Sequence, residues 1–259
     1  MRADRPRDAV RIVKRPGKVK VDGGMAGTDK AAMSEDVLFL PGLLCDEALW
    51  SAQLGAFPHA IVGDLTLDDH VDAMAYRAVS MMPGRFALCG LSMGGYVALA
   101  VMRIAPERVT RLCLMDTQAR PDGPTQARHR QITMSLARSN RFRGVTPRLL
   151  PLLLHPERLS DAVLCQAVLD MAERVGGEAF LRQQQAILGR PDSRPHLPEI
   201  AVPTLVAVGS HDSVTPLDRA EEMAALIPGA RLEIIGNAGH LPPMEQPDDV
   251  NDMLRRWLG

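Results

Sequence analysis

The stretch Arg85-Phe-Ala-Leu-Cys-Gly-Leu-Ser92-Met-Gly-Gly-Tyr-Val-Ala-Leu-Ala-Val-Met102 decides the fold. Arg85 to Cys89 reads as a strand, and Gly95 onward reads as a helix. Between them Gly90-Leu91-Ser92-Met93-Gly94 has GxSxG spacing. At a glycine usage of about 7%, that spacing alone arises by chance in about one chain in ten of this length. The strand before it and the helix after it give it a mechanical meaning. A sharp strand-to-helix turn lifts the serine hydroxyl into a cleft, and flanking glycines remove side chains that would collide in the turn. The helix N-terminus beneath the hydroxyl favours developing negative charge. The alternative on these residues alone is that Ser92 merely caps the helix.

Working outward, short continuous apolar runs alternate with amphipathic stretches from residue 36 onward. This is the pattern of a doubly wound, mainly parallel α/β sheet buried under helices on both faces. Strands are expected at Val37–Leu40, Ala60–Gly63, Phe86–Cys89, Arg111–Met115, Thr204–Val208 and Arg231–Ile235. Helices are expected at 69–81, 94–105, 216–226 and 247–258, the last opening after Pro247 with Asp248 and Asp249 in its first turn. From about Thr117 to Val202 no strand is legible. Helix-compatible spacing recurs instead at Gln126–Ala137, Pro147–Leu154, Asp161–Val175 and Glu178–Leu188, broken at Gly144, Pro156 and Gly176-Gly177. A helical cap inserted after the strand ending near Met115 is the expectation.

Composition narrows the function classes. The 259 residues are 46% hydrophobic with a formal net charge of -1, enough for one sizeable core and too balanced to expect nucleic acid or a charged membrane as partner. Cys45, Cys89, Cys113 and Cys165 are widely spaced, with no CxxC pair and no histidine at metal-ligand spacing, so buried free thiols are expected and neither a metal nor a disulfide framework. No run approaches the roughly 18 to 20 apolar residues of a membrane span, and the N-terminus lacks the apolar centre of a secretory signal. A cytoplasmic protein is expected. Residues 1–34 hold nine Lys/Arg against four Asp and read as a basic, flexible extension to a domain at 35–259. Within it, Val10–Arg15 and Lys18–Val21 flank Pro16-Gly17 as a possible charged hairpin, and Met33 offers an alternative start.

The GxSxG elbow in this setting resembles the α/β-hydrolase family from about residue 36 to the C-terminus. The resemblance implies Ser92 as nucleophile, with an acid and then a histidine downstream in chain order. Val206-Ala-Val-Gly-Ser-His-Asp212 resembles the family's penultimate strand followed by Gly-x-x-Asp, which makes Asp212 the candidate acid orienting the imidazole. Asp212 can also be read as a loop residue capping the helix near Pro216, and Asp116 is the runner-up, because some members carry the acid after the preceding strand. Ile234-Ile-Gly-Asn-Ala-Gly-His240-Leu-Pro-Pro-Met-Glu-Gln-Pro resembles the catalytic-histidine loop, with His240 as general base and then general acid. His59, His70, His129, His196 and His211 read as surface residues, and His155 reads as packed or solvent-facing in preference to facing the cleft.

The family also needs two backbone N–H donors for the oxyanion, each worth about 3 kcal/mol when preorganised. Met93 supplies one. In Phe39-Leu40-Pro41-Gly42-Leu43-Leu44, Pro41 stands where many relatives have His before Gly, so Leu43 N–H is the natural second donor. Gly63-Asp-Leu-Thr-Leu-Asp-Asp lacks the longer Asp-x-Pro-Gly-x-Gly loop of relatives, which leaves the cleft more open on that side. The resemblance implies a carboxylic-ester hydrolase acting through an acyl-enzyme on small to medium, largely apolar substrates, with no metal or organic cofactor. Its rivals are an enol-lactone hydrolase, a C–C bond hydrolase and a non-catalytic ligand-binding homologue.

Overall fold

The computed structural model describes residues 10–13 and 35–259. Seven strands form one sheet in the order β1-β7-β6-β5-β4-β2-β3. They are β1 (Val10–Val13), β2 (Val37–Leu40), β3 (Ala60–Val62), β4 (Phe86–Leu91), β5 (Val109–Met115), β6 (Thr204–Gly209) and β7 (Arg231–Ile235). Every pairing is parallel. Val10–Val13, which the sequence offers as part of one arm of a charged hairpin in a basic extension, forms β1 and pairs instead with β7 at the sheet edge, while the other arm of that hairpin, Lys18–Val21, lies outside the described residues.

Period-2 alternation divides the central strands between two cores. Leu38 and Leu40 of β2, Phe86 and Leu88 of β4, and Leu112 and Leu114 of β5 face the helices Val71–Ser80, Met93–Ile104 and Leu217–Leu226. Val37 and Phe39, Ala87 and Cys89, and Cys113 and Met115 face the opposite layer, where Trp50, Met253, Leu254 and Trp257 pack with Phe39 stacked on Trp50. The C-terminal helix Pro247–Leu258 reaches that core through Val250, Met253, Leu254 and Trp257, and keeps Asp248 and Asp249 in its first turn, opposite the positive end of its dipole.

The insertion between β5 and β6 is helical, as its spacing indicates: Pro124–Leu136, Leu150–Leu153 and Ala162–Gly189. The two stretches expected at 161–175 and 178–188 run almost continuously, interrupted by Gly176 at φ +76°. Glycine tolerates that left-handed conformation, and it turns the chain without ending the helix. No helix among the described residues is long and apolar enough to cross a membrane. All four cysteines are free; Cys45, Cys89 and Cys113 are buried.

Strand order locates the cleft. The chain leaves β2 for β3 on one side and then returns to β4 on the other, so the β2 and β4 loops diverge at their carboxyl ends. Ligands of open α/β sheets bind in such a crevice.

Candidate active site

Ser92 sits at the carboxyl end of β4 with φ +54° and ψ −115°, a strained conformation for a non-glycine residue. The strain is held from several sides. Ser92 N–H donates to the Met115 carbonyl at 3.0 Å, and the Thr117 hydroxyl donates to the Ser92 carbonyl at 2.7 Å. The glycines of the motif are sterically required. A Cβ on Gly90 would lie 2.3 Å from the Gly94 carbonyl oxygen, and one on Gly94 would lie 2.1 Å from the Leu40 carbonyl oxygen.

Three buried side chains from three loops meet at the elbow. Ser92 Oγ lies 2.9 Å from His240 Nε2, and His240 Nδ1 lies 2.9 Å from Asp212 Oδ2. The Asp212 contact favours the proton on Nδ1, which leaves Nε2 free to accept from the serine hydroxyl. Asp212 is further satisfied: its Oδ1 accepts from Val214 N–H at 2.8 Å and Thr215 N–H at 3.1 Å, and its Oδ2 accepts from the Thr215 hydroxyl at 2.6 Å. Burial alone would push the Asp212 carboxyl up, but His240 and the hydrogen bonds from His240 and Thr215 outweigh it and hold the group below the usual carboxylate range. The helix-capping reading of Asp212 is thus realised only locally, in the turn to Thr215, while the same carboxylate reaches the imidazole.

Asp116, the runner-up, is also here. It is fully buried at φ +43°, and its Oδ1 accepts from Gly209 N–H at 2.8 Å, but its Oδ2 has no hydrogen-bond partner. Burial, and after it the charge of Asp212, push its carboxyl well above the ordinary range. A neutral Asp116 beside an ionised Asp212 follows, since two adjacent buried carboxylates resist joint ionisation. Asp116, Asp212 and His240 each bring a potential ligand atom within 4.8 Å of the others, but both nitrogens of His240 are already engaged with Asp212 and Ser92.

Leu43 N–H and Met93 N–H make no hydrogen bond among the described residues. The loop carrying Leu43 is braced by a residue absent from the sequence reading. Gln183, wholly buried on the helix Ala162–Gly189, accepts from Leu44 N–H at 3.1 Å and donates to the Leu65 carbonyl at 3.2 Å. Leu44 itself stands at φ +59°. Glu245 is a second such residue. Its carboxylate accepts from Gly239 N–H at 2.8 Å and Leu241 N–H at 3.1 Å, on either side of His240, and from His155 N–H at 2.6 Å. Burial raises the Glu245 carboxyl despite these three bonds. His155 is packed rather than solvent-facing, edge-on to the exposed His211 with ring centroids 4.1 Å apart. His59, His70, His129 and His196 are exposed.

A cavity of about 470 Å³ opens over Ser92 and His240. The insertion supplies much of its wall, including Leu149, Leu152, Leu153, Val168, Met171 and Phe180. Cys45 lines it too, but burial pushes that thiol up to about 12, so it is a packing group rather than a second nucleophile.

Comparison with known proteins agrees with this fold. The model of the alpha/beta hydrolase family matches residues 37–253. The chain is 31% identical over 198 residues to the pimeloyl-acyl-carrier-protein methyl ester esterase of Nitrosomonas europaea, covering 73% of this chain and 77% of that protein. Among solved structures, a thermophilic esterase from Thermogutta terrifontis, malate bound, superposes with a TM-score of 0.80 at 31% identity, over 87% of this chain and 89% of that one. The enol-lactonase from Burkholderia xenovorans LB400 superposes with a TM-score of 0.77 at 24% identity, over 87% and 92%, a likeness of fold alone.

Proposed function

This chain belongs to the alpha/beta hydrolase family, and from that premise we propose that it is a cytoplasmic serine hydrolase cleaving carboxylic esters of small to medium, largely apolar substrates. The observation that carries the reading is the run of two 2.9 Å contacts from Ser92 through His240 to Asp212. Ser92 Oγ attacks the ester carbonyl while His240 Nε2 takes its proton, and Asp212 stabilises the imidazolium that forms. Leu43 and Met93 N–H groups hold the oxyanion. The tetrahedral intermediate collapses as His240 protonates the leaving alcohol, giving an acyl-enzyme and free alcohol. Water, activated by the same imidazole, then releases the carboxylic acid and restores Ser92.

Residues 35–259 form the hydrolase domain in this reading, with 117–202 as its cap and 1–34 as an extension. The apolar wall contributed by the insertion supports the substrate class. The test is turnover of a panel of short- and medium-chain nitrophenyl esters, with an enol-lactone and a C–C ring-cleavage product alongside. Simple esters should have the highest kcat/KM, and Ser92→Ala should lower it about 10⁴-fold or more. Ester turnover surviving Ser92→Ala would sink the mechanism, and a lactone or C–C substrate favoured over every ester would displace the substrate class. Absence of turnover, with no labelling of Ser92 by a fluorophosphonate, would favour a ligand-binding role.

A further inference from the structure

The cavity wall is electrically one-sided. Among the described residues its formally charged side chains are Arg130 and Arg143, and no Asp or Glu lines it. Arg130 is already engaged: it is ion-paired to Asp122 at 2.5 Å, and it donates to Gln184 at 2.9 Å. Asp122 is shared with the buried Arg190 at 2.8 Å, whose guanidinium also lies 4.2 Å from the Tyr96 ring centroid. In that cluster two guanidiniums share one carboxylate, and both are held by hydrogen bonds. Arg143 is different, for among the described residues it makes no ion pair and no hydrogen bond, and it is exposed where it lines the cavity.

The surrounding sequence deepens the asymmetry. Residues 123–156 hold six arginines, Arg128, Arg130, Arg138, Arg141, Arg143 and Arg148, and no Asp or Glu, in a chain whose formal net charge is -1. Exposed apolar side chains share that edge: Leu136, Leu149 and Leu152 line the cavity while 45%, 41% and 52% accessible. An apolar cavity with an uncompensated cation in its wall concentrates anions, because the low-dielectric lining focuses the field rather than screening it. A wholly neutral ester would satisfy the leucines and leave the guanidinium without a partner.

We propose that Arg143 recognises a carboxylate on the substrate, so that the preferred esters are monoesters of dicarboxylic acids whose aliphatic chain lies against the leucine-lined wall. This rests on the ester-hydrolase reading above and narrows it. The guanidinium pairs with the free carboxylate through parallel N–H···O bonds, a geometry that a lysine ammonium reproduces as charge but not as a fork. Arg143 is a specificity residue here, with no part in the bond-making steps at Ser92.

The test compares kcat/KM for monomethyl suberate and methyl octanoate, matched in chain length and leaving group, using methanol release by the full chain. The native protein should prefer the anionic ester about two- to fivefold at low salt, the scale of one exposed ion pair, and 0.5 M NaCl should shrink the preference. Arg143→Gln should abolish it while leaving methyl octanoate turnover within about twofold, and Arg143→Lys should keep part of it. Equal or better turnover of the neutral ester by the native protein overturns the proposal, as does an anionic preference that persists in Arg143→Gln. A variant that slows both esters equally would also overturn it. Thermal melting of each variant controls for folding. Failure of the ester-hydrolase reading itself looks different, because neither ester would then be turned over.

Discussion

The loops at the carboxyl ends of β4, β6 and β7 and the helical insertion between β5 and β6 contribute to one cavity by opposite means. The loops place Ser92, Asp212 and His240 through backbone geometry: a strained elbow, two glycines that admit no Cβ, and a carboxylate gathering N–H groups. The insertion contributes apolar side chains, Arg130 from a helix and Arg143 from the irregular segment that follows, with much of its surface exposed. Positions constrained by backbone contacts tolerate little change, whereas side chains projecting from a helix into a cavity can be exchanged at modest cost. Chemistry should therefore break when the loops are altered, and substrate range should shift when the insertion is altered.

The largest expected effect separates the two buried aspartates. Asp212→Asn should lower kcat about 10⁴-fold by replacing the carboxylate that holds the proton on His240 Nδ1 with a neutral amide, while Asp116→Asn should stay within a few-fold, both measured on one nitrophenyl ester. The reverse ranking would move the acid role to Asp116. Next comes the joint between the regions. Glu245→Ala strands the N–H groups of Gly239, Leu241 and His155, and should cost about 2 to 3 kcal/mol in urea unfolding and at least about tenfold in kcat, with KM changed less.

A smaller effect concerns pH. Asp116 binds its proton more tightly folded than unfolded, so its contribution to stability is full below the unfolded carboxyl pKa and is lost as pH rises through the folded one. Asn keeps the acceptor for Gly209 N–H without the charge. The melting temperature of Asp116→Asn relative to the native protein should therefore be about 2 °C or more higher at pH 7.5 than at pH 4.5. A pH-independent difference would show that Asp116 titrates normally. Smallest of all, Leu152→Ala in the cavity wall should shift the ratio of kcat/KM between hexyl and acetyl esters by about two- to fivefold and leave the melting temperature within about 1 °C. A uniform loss across the ester series would break the division between chemistry and substrate range.

Legibility in the sequence follows the same line. Strands buried on both faces read as continuous apolar runs, so Val37–Leu40 and Arg231–Ile235 agree with expectation to the residue, and GxSxG announces the elbow because its glycines answer steric demands. Asp212 and His240 were legible through the motifs that follow β6 and β7. Gln183 and Glu245 were not, because each acts on backbone N–H groups of other segments. A glutamine on an amphipathic helix carries no mark of the loop 139 positions away that it braces. The signal available for Glu245 was a carboxylate between prolines just after the histidine loop, read there only as part of a family motif. Val10–Val13 reads in the sequence only as part of a hairpin arm, because a short run among basic residues lacks the apolar density that marks a strand of the main sheet.

The bonds between the histidine loop and the insertion amount to an interlock. His240 N–H donates to the Leu153 carbonyl at 2.8 Å, and Glu245 binds His155 N–H from the same side. Lifting the insertion at that edge would withdraw the base from the serine along with the roof, so a gaping enzyme would be an idle one.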